Sequence, residues 1–304
     1  MKTFQKILFL SLAVWAFTAC GDDDDRIPQR AEEPQGASAN SNPTTEGSAM
    51  ARYEVPAIQQ DDNSVRLVRR TDKYGITYII EYDKAKKAQR WTCYQMDAGN
   101  SVKGWSRSSW KNTEWGRDPF QEDPDLPKEA RTTLYQHENN GYDRGHICPS
   151  EDRIASREMN EQTFYLSNIL PQKNCFNASP GVWGNMEIWL RNTLNTREFR
   201  DVLYVVKGGT ITNGLIKETT AKGLIVPQYF YMAVVCEKNS KYKGLAFWAY
   251  HETNKEKAQA TTIRSCIISI DELEKKTGID FFCNLPDDIE NTVEATVNPS
   301  EWKL

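Results

Sequence analysis

Tyr142-Asp143-Arg144-Gly145-His146 sets an acid, a base and a titratable imidazole side by side, with Gly145 allowing close backbone approach or an unusual φ. A lone histidine is more often structural than catalytic. This one is followed by Phe164-Tyr165-Leu166-Ser167-Asn168, Pro171-Gln172, Phe176-Asn177 and Trp183-Gly184-Asn185-Met186-Glu187, so amide and carboxylate side chains gather downstream of it. Around this region the chain reads as more strand than helix. Alternating or β-rich segments occur at Gly75 to Tyr82, Ala88 to Met96, Phe164 to Asn168, Val202 to Val206, Leu224 to Cys236 and Gly244 to Tyr250. A helix is expected from about Gly181 to Asn195, where Trp183, Met186, Trp189, Leu190 and Leu194 recur at three- and four-residue spacing. Another is expected over Asp271 to Lys276, closed by Gly278. Strands without regular βαβ alternation indicate an α+β class with a mainly antiparallel sheet.

The five motifs together resemble, in order, spacing and residue type, the DNA/RNA non-specific endonucleases, a family of ββα-metal nucleases. Their signature is DRGH, a YLSN-like strand and PQ, then an Asn and a Trp-x-x-Leu-Glu helix. The resemblance extends through Tyr204-Val205-Val206-Lys207-Gly208-Gly209 and Val226-Pro227-Gln228-Tyr229-Phe230-Tyr231. Near the end it includes Ile270-Asp271-Glu272-Leu273-Glu274, Thr277-Gly278 and Leu285-Pro286, so about residues 66 to 292 are covered. Two departures stand out: Ala178-Ser179-Pro180-Gly181 makes the approach to the Trp183 helix two residues longer than usual, and the upstream arginine is less clearly marked. Arg117, before Asp118-Pro119-Phe120, is the choice for that arginine and Arg107 the rival. The resemblance implies a ββα-metal nuclease fold with a central sheet flanked by helices. It also implies hydrolysis of DNA and RNA with little sequence preference, leaving 5′-phosphate ends.

Chemistry supports the same assignments. Phosphodiester hydrolysis needs a nucleophilic water, counter-charge for the transition state and a proton or metal for the departing oxygen. His146, with an ordinary pKa near about 6.5, is a candidate general base. Asn177 offers a hard amide oxygen suited to Mg²⁺, for which Mn²⁺ substitutes, and Glu187 would bind a metal water and hold the hydrated ion. Asn168 is expected to orient His146 or the metal water, with strand termination as the plainer alternative. Arg117 and Arg144 would contact phosphate oxygens, and Asp143 either belongs to the catalytic set or only fixes the loop around His146. One amide and one carboxylate, without a paired Asp/Glu cluster, point to one ion per site. His137, His146 and His251 with no CxxC pair make zinc a poor fit. The nine Trp and thirteen Tyr are read as core.

The 304 residues, 39% hydrophobic and 26% charged, exclude collagen-like and wholly disordered classes. The net charge of −4 hides an uneven distribution. Residues 1–65 contain 5 basic and 10 acidic side chains of the 38 and 42 in the chain, leaving 33 and 32 in residues 66–304. A near-neutral body still permits a local basic groove for nucleic acid.

Lys2 and Lys6 flank an apolar run, Ile7 to Phe17, too short to span a bilayer and readable as a signal peptide. Phe17-Thr18-Ala19-Cys20-Gly21 resembles a bacterial lipobox, making Cys20 the expected lipidation site. The acidic run Asp22 to Asp25 looks like a surface-display signal. The division expected is a signal peptide with lipobox at 1–20, a disordered acidic and polar tether at 21–52, and the endonuclease domain at 53–304. The expected location is the outer membrane or cell surface, attached by lipid alone, with a periplasmic or secreted form as the alternative. Six further cysteines permit up to three disulfides, among which Cys148 with Cys175 would brace the site. Two rival functions are a related enzyme restricted to one nucleic acid and a nucleic-acid-binding lipoprotein without turnover. Cleavage assays with and without Mg²⁺ separate them.

Overall fold

The computed structural model describes residues 39–304. The strands are β1 (Ser64–Thr71), β2 (Gly75–Asp83), β3 (Ala88–Met96), β4 (Asp143–His146), β5 (Ile169–Gln172), β6 (Val202–Gly209), β7 (Ile216–Thr219), β8 (Ile225–Pro227), β9 (Tyr229–Lys238), β10 (Lys241–Tyr250) and β11 (Ile267–Ile268). The α-helices are α1 (Arg157–Gln162), α2 (Asn174–Asn177), α3 (Val182–Trp189), α4 (Lys255–Ala260), α5 (Ile270–Thr277) and α6 (Asp287–Ala295). Seven strands form an antiparallel sheet in the order β1-β2-β3-β6-β9-β10-β11, and β4 with β5 makes a separate two-stranded ribbon. This is the expected α+β architecture with a central antiparallel sheet flanked by helices.

Both faces of the sheet are covered, and residue alternation decides which side chain goes to which layer. Leu203, Val205, Phe230, Met232, Val234, Leu245 and Phe247 pack with Val182, Trp183 and Met186 of α3. The intervening Tyr204, Val206, Tyr231, Ala233, Val235 and Ala246 pack with Ile270 and Leu273 of α5, with Val293 of α6 and with Phe281 between the two helices. Full burial of each large aliphatic or aromatic side chain contributes roughly 1.5–3 kcal/mol. The sheet therefore separates a layer bearing α3 from a layer bearing α5 and α6.

Several local expectations change. Phe164 to Asn168, expected as a strand, is instead a turn ending in a 3-10 segment at Leu166–Asn168, and the strand begins one residue later as β5. Its tertiary reason is plain: Phe164 is buried against Phe120 and Trp110, and Asn168 is consumed in loop bonds. The Gly181 to Asn195 helix divides into α3 and a wider π-turn at Leu190–Leu194. The Leu224 to Cys236 run is two strands, β8 and β9, separated at Gln228. α5 closes at Gly278, whose φ of 67° is the left-handed conformation that glycine adopts without a Cβ penalty.

Residues 39–52, assigned to a tether, instead lie on the domain. Ala49 and Met50 are buried beside Tyr53 and Val55, while the side chain of Asn42 donates to the carbonyls of Met50 and Pro56. Asn42 N donates to Asn284 Oδ1 at 2.9 Å, fastening the segment to the C-terminal part of the chain. The composition of this stretch is polar, and two apolar anchors plus a buried amide suffice to seat it. The signal-peptide, lipobox and acidic-run readings fall outside the described residues. No helix among the described residues is long and apolar enough to cross a membrane. No disulfide forms among Cys93, Cys148, Cys175, Cys236, Cys266 and Cys283. Cys148 is buried in the core, whereas Cys175 Sγ faces the carbonyls of Glu252 and Thr253, so the suggested brace does not exist.

Candidate active site

β4 is the DRGH segment itself, paired with β5 in the register Asp143↔Gln172, Arg144↔Pro171, Gly145↔Leu170 and His146↔Ile169. A Cβ on Gly145 would fall 2.2 Å from the Gln172 side chain, so any larger residue here would displace that buried amide. A Cβ on Gly184 in α3 would fall 2.6 Å from the carbonyl oxygen of Asn177. That contact presses α3 onto the end of α2 and brings Glu187 and Asn177 to one cavity, despite the two extra residues between them.

The cavity holds about 460 Å³ and is lined by Arg107, Phe120, Asp143, Arg144, His146, Asn177, Glu187 and Arg191, among others. His146 is 9% exposed, its ring packed edge-on to Phe164 at 5.0 Å and tilted against Phe120 at 5.4 Å. Its Nε2 is buried without a hydrogen-bond partner. Burial, with Arg107 and Lys207 adding positive charge nearby, pushes its pKa down to about 3. The near-ordinary value expected from sequence is thus displaced, and the imidazole is neutral over the whole physiological range.

The other two histidines are engaged elsewhere. His251 accepts from Lys173 N at 2.9 Å and its Nδ1 meets the Pro227 carbonyl at 3.0 Å, while His137 Nε2 meets Thr132 Oγ1 at 3.2 Å.

Asp143 and Asn177 form a linked pair. Asp143 Oδ2 accepts from the side-chain amides of Asn177 at 3.2 Å and Asn174 at 2.9 Å. With its NH₂ committed to Asp143, Asn177 keeps its carbonyl oxygen free of protein donors among the described residues. Asp143 thereby fixes which end of the Asn177 amide faces away from it.

Glu187 accepts from Lys207 Nζ at 2.6 Å, and that ammonium is fully buried, 4.6 Å from the Trp183 ring centroid. Burial raises the Glu187 carboxyl, and Lys207 opposes the rise. A free amide oxygen beside a carboxylate is a donor set fitting a hydrated hard cation. Asn177 and Glu187 are the residues that would hold it.

Arg107, the rival, reaches the cavity. Its guanidinium is held by Asp118, with Nε donating at 3.1 Å to Oδ1, and lies 5.3 Å from the Phe164 ring. Arg117 is exposed on the neighbouring turn and does not line the cavity. Asp118, the neighbour of Arg117 in sequence, instead holds Arg107, eleven residues upstream. Arg144 lies over the Phe120 ring at 4.7 Å and is 3.9 Å from Glu138.

Asn168 does not face the cavity or the His146 ring. Fully buried, it accepts from Cys148 N and donates to the carbonyls of Cys148 and Thr163, each at 2.9 Å. It clamps the turn that follows His146.

Two groups, Lys207 behind the cavity against Glu187 and Arg191 on its wall, have no assignment in the sequence motifs. Lys207 is a single cation inside an apolar strand, a signal available in Val202 to Gly209. Arg191 is anchored by Asp152 at 2.7 Å, which itself accepts from Tyr94 at 3.0 Å, a relay with no local sequence pattern.

The sequence pattern of the DNA/RNA non-specific endonuclease family matches residues 66–288. The chain belongs to this family and is a nuclease-family enzyme. It is 29% identical over 234 residues to a nuclease of Nostoc sp., covering 73% of this chain and 76% of that one. It is 29% identical over 223 residues to nuclease C1 of Cunninghamella echinulata, covering 69% and 81%. Against the mitochondrial nuclease EXOG of Homo sapiens the identity is 27% over 218 residues, covering 68% of this chain and 56% of EXOG. The structure of an EndoG/EndoGI complex contains a chain of like fold, with a TM-score of 0.59 at 21% identity, covering 75% of this chain and 89% of that chain.

Acidic clusters capable of coordinating a divalent metal also exist away from the cavity. They are formed by Asp271, Glu274 and Glu294 and by Asp280, Glu290 and Glu294, on α5, α6 and the segment between them.

Proposed function

We propose that the chain is an endonuclease that hydrolyses phosphodiester bonds of DNA and RNA with little sequence preference. The observation that carries this is His146. Among the described residues it is the one histidine without a hydrogen bond, neutral and lining the same cavity as Asn177, Glu187, Arg107 and Arg144. In this reading His146 takes the proton from the attacking water. Arg107 and Arg144 hold phosphate oxygens, their planar forks matching the anion and countering charge as it develops. Asn177 and Glu187 hold one hydrated Mg²⁺, Glu187 through water, with Asp143 fixing the Asn177 amide. When bound, the ion supplies counter-charge for the phosphate and for the departing oxygen.

The assay is purified protein with plasmid DNA and with RNA, with Mg²⁺, with Mn²⁺ and with a chelator. Cleavage of both polymers that stops on chelation, with ends that accept ligation directly through a 5′-phosphate, is the expected result. Cleavage of one polymer alone would favour a restricted enzyme, and binding without cleavage would favour a capture protein. Recognition through phosphate-holding arginines leads us to expect scattered cleavage sites and steep loss of affinity with salt.

We further propose export as a lipoprotein anchored through Cys20 at the outer membrane or cell surface, on the strength of the N-terminal sequence. Metabolic labelling with a fatty acid, lost in Cys20→Ala, tests it.

A further inference from the structure

On the layer opposite the nuclease cavity, five carboxylates converge where α6 crosses α5. Ligand oxygens of Asp271, Glu274 and Glu294 lie within 4.8 Å of one another, and so do those of Asp280, Glu290 and Glu294. Glu294 belongs to both groups. It is 7% exposed, and its Oε1 is buried with no hydrogen-bond partner. The other contacts are few and neutral. Asn40 Nδ2 donates to Asp280 Oδ2 at 2.9 Å and to Glu290 Oε1 at 3.1 Å, and Phe281 N donates to Glu274 Oε1 at 2.8 Å. Among the described residues no lysine or arginine forms an ion pair with any of the five.

Carboxylates at this density repel one another, and an orphaned buried oxygen adds a desolvation penalty that no neighbour relieves. Only protons or a cation can relieve both. An all-oxygen, all-carboxylate donor set with no nitrogen or sulfur selects a hard ion. Ca²⁺ accepts about 6–8 oxygens in flexible geometry, whereas Mg²⁺ prefers to retain several waters. We propose that this pocket is a calcium site, distinct from the nuclease cavity, that fastens α6 to α5 and, through Asn40, to the segment running from residue 39. Consistent with an unmet need for positive charge, burial and then mutual repulsion hold Glu294 up at about 9, while Glu274 and Glu290 are raised to about 7, chiefly by burial.

The site is tested on the whole protein without reference to cleavage. Calcium chloride is titrated by calorimetry and by thermal unfolding into wild type, Glu187→Gln and Glu294→Gln. The Glu187 variant removes a cavity ligand, so calcium binding that persists there belongs to another site. The expected result is a calcium-dependent rise in Tm of several degrees in wild type and Glu187→Gln, and its loss in Glu294→Gln and in a second variant, Asp280→Asn. Glu294→Gln keeps the side-chain shape and, like the protonated acid, carries no charge when no ion is bound, so it is expected to fold. A calcium response unchanged in Glu294→Gln would overturn the proposal. So would a Glu187→Gln protein that ignores calcium while Glu294→Gln is simply more stable, since protons alone would then relieve the cluster. Neither outcome depends on whether the chain is a nuclease.

Discussion

The side-chain amide of Asn177 donates to Asp143 Oδ2 at 3.2 Å, joining the first residue of the DRGH strand to the end of the helix that precedes α3. This bond decides which end of the Asn177 amide is available to a cation. Asp143→Ala should let that amide rotate. The Mg²⁺ concentration for half-maximal cleavage is expected to rise about 10- to 100-fold, the usual effect of losing a residue that orients a metal ligand, with the rate at saturating Mg²⁺ largely kept. A metal titration of cleavage checks it. An unchanged titration with a reduced plateau would assign Asp143 a different role.

Lys207 and Glu187 are a buried pair bridging the sheet and α3. Removing one partner leaves the other charge uncompensated, so Lys207→Met should lower stability by about 3–5 kcal/mol. Adding Glu187→Gln to that variant should recover much of the loss. Urea denaturation of the two single variants and the double variant gives the coupling directly, and simple additivity would show that the pair is not coupled.

Arg107→Ala should reduce cleavage by about 10²-fold, the scale for losing one group that stabilises developing negative charge. Arg117→Ala should leave it near wild type. The reverse ranking in a parallel kinetic assay would return the phosphate contact to Arg117.

Burial holds His137 and His251 at about 4 and His146 at about 3, each below the ordinary value. The unfolded chain binds protons that the folded chain refuses. Their contribution is therefore fully present above about pH 6.5 and lost as pH falls toward 4, on the order of 1–3 kcal/mol for each histidine. Chemical denaturation from pH 7 to pH 4.5 should show this decline, and His137→Gln should flatten it. An identical slope in that variant would rule His137 out as a contributor.

Much of this was legible because one-dimensional patterns carried it. β3 coincides with the expected Ala88 to Met96 segment, since alternation there reflects burial on both faces of the sheet. α5 was marked by its apolar spacing and by Gly278 as its stop. The motif residues His146, Asn177, Glu187, Asp143 and Arg144 meet in one cavity, as the order of the motifs suggested. What stayed hidden depends on contacts between layers. Asp-Arg-Gly-His has no apolar alternation, so β4 was not read as a strand. Its pairing is set instead by β5, a segment distant in sequence. Arg107 is recruited by Asp118 through folding of the intervening chain, and Lys207 finds Glu187 across the sheet-helix interface. Asn168 looked like a site residue because of its motif, yet its three bonds go to backbone atoms. The order of residues 42–52 rests on Asn42 and Met50 docking onto a surface that local composition does not describe.

The most direct test of the account is single-turnover cleavage by His146→Ala, measured together with DNA affinity and Tm. With the base removed and Arg107, Arg144, Asn177 and Glu187 left in place, the rate should fall by about 10²-fold or more. DNA binding and folding should persist, and added imidazole should restore part of the rate. In wild type, any rise in rate caused by deprotonation of His146 should lie near pH 3, well below the ordinary histidine range, so its contribution is level from about pH 5 upward. Near-normal cleavage by His146→Ala, or loss of activity that only follows loss of the folded state, would contradict the claim that His146 is the general base.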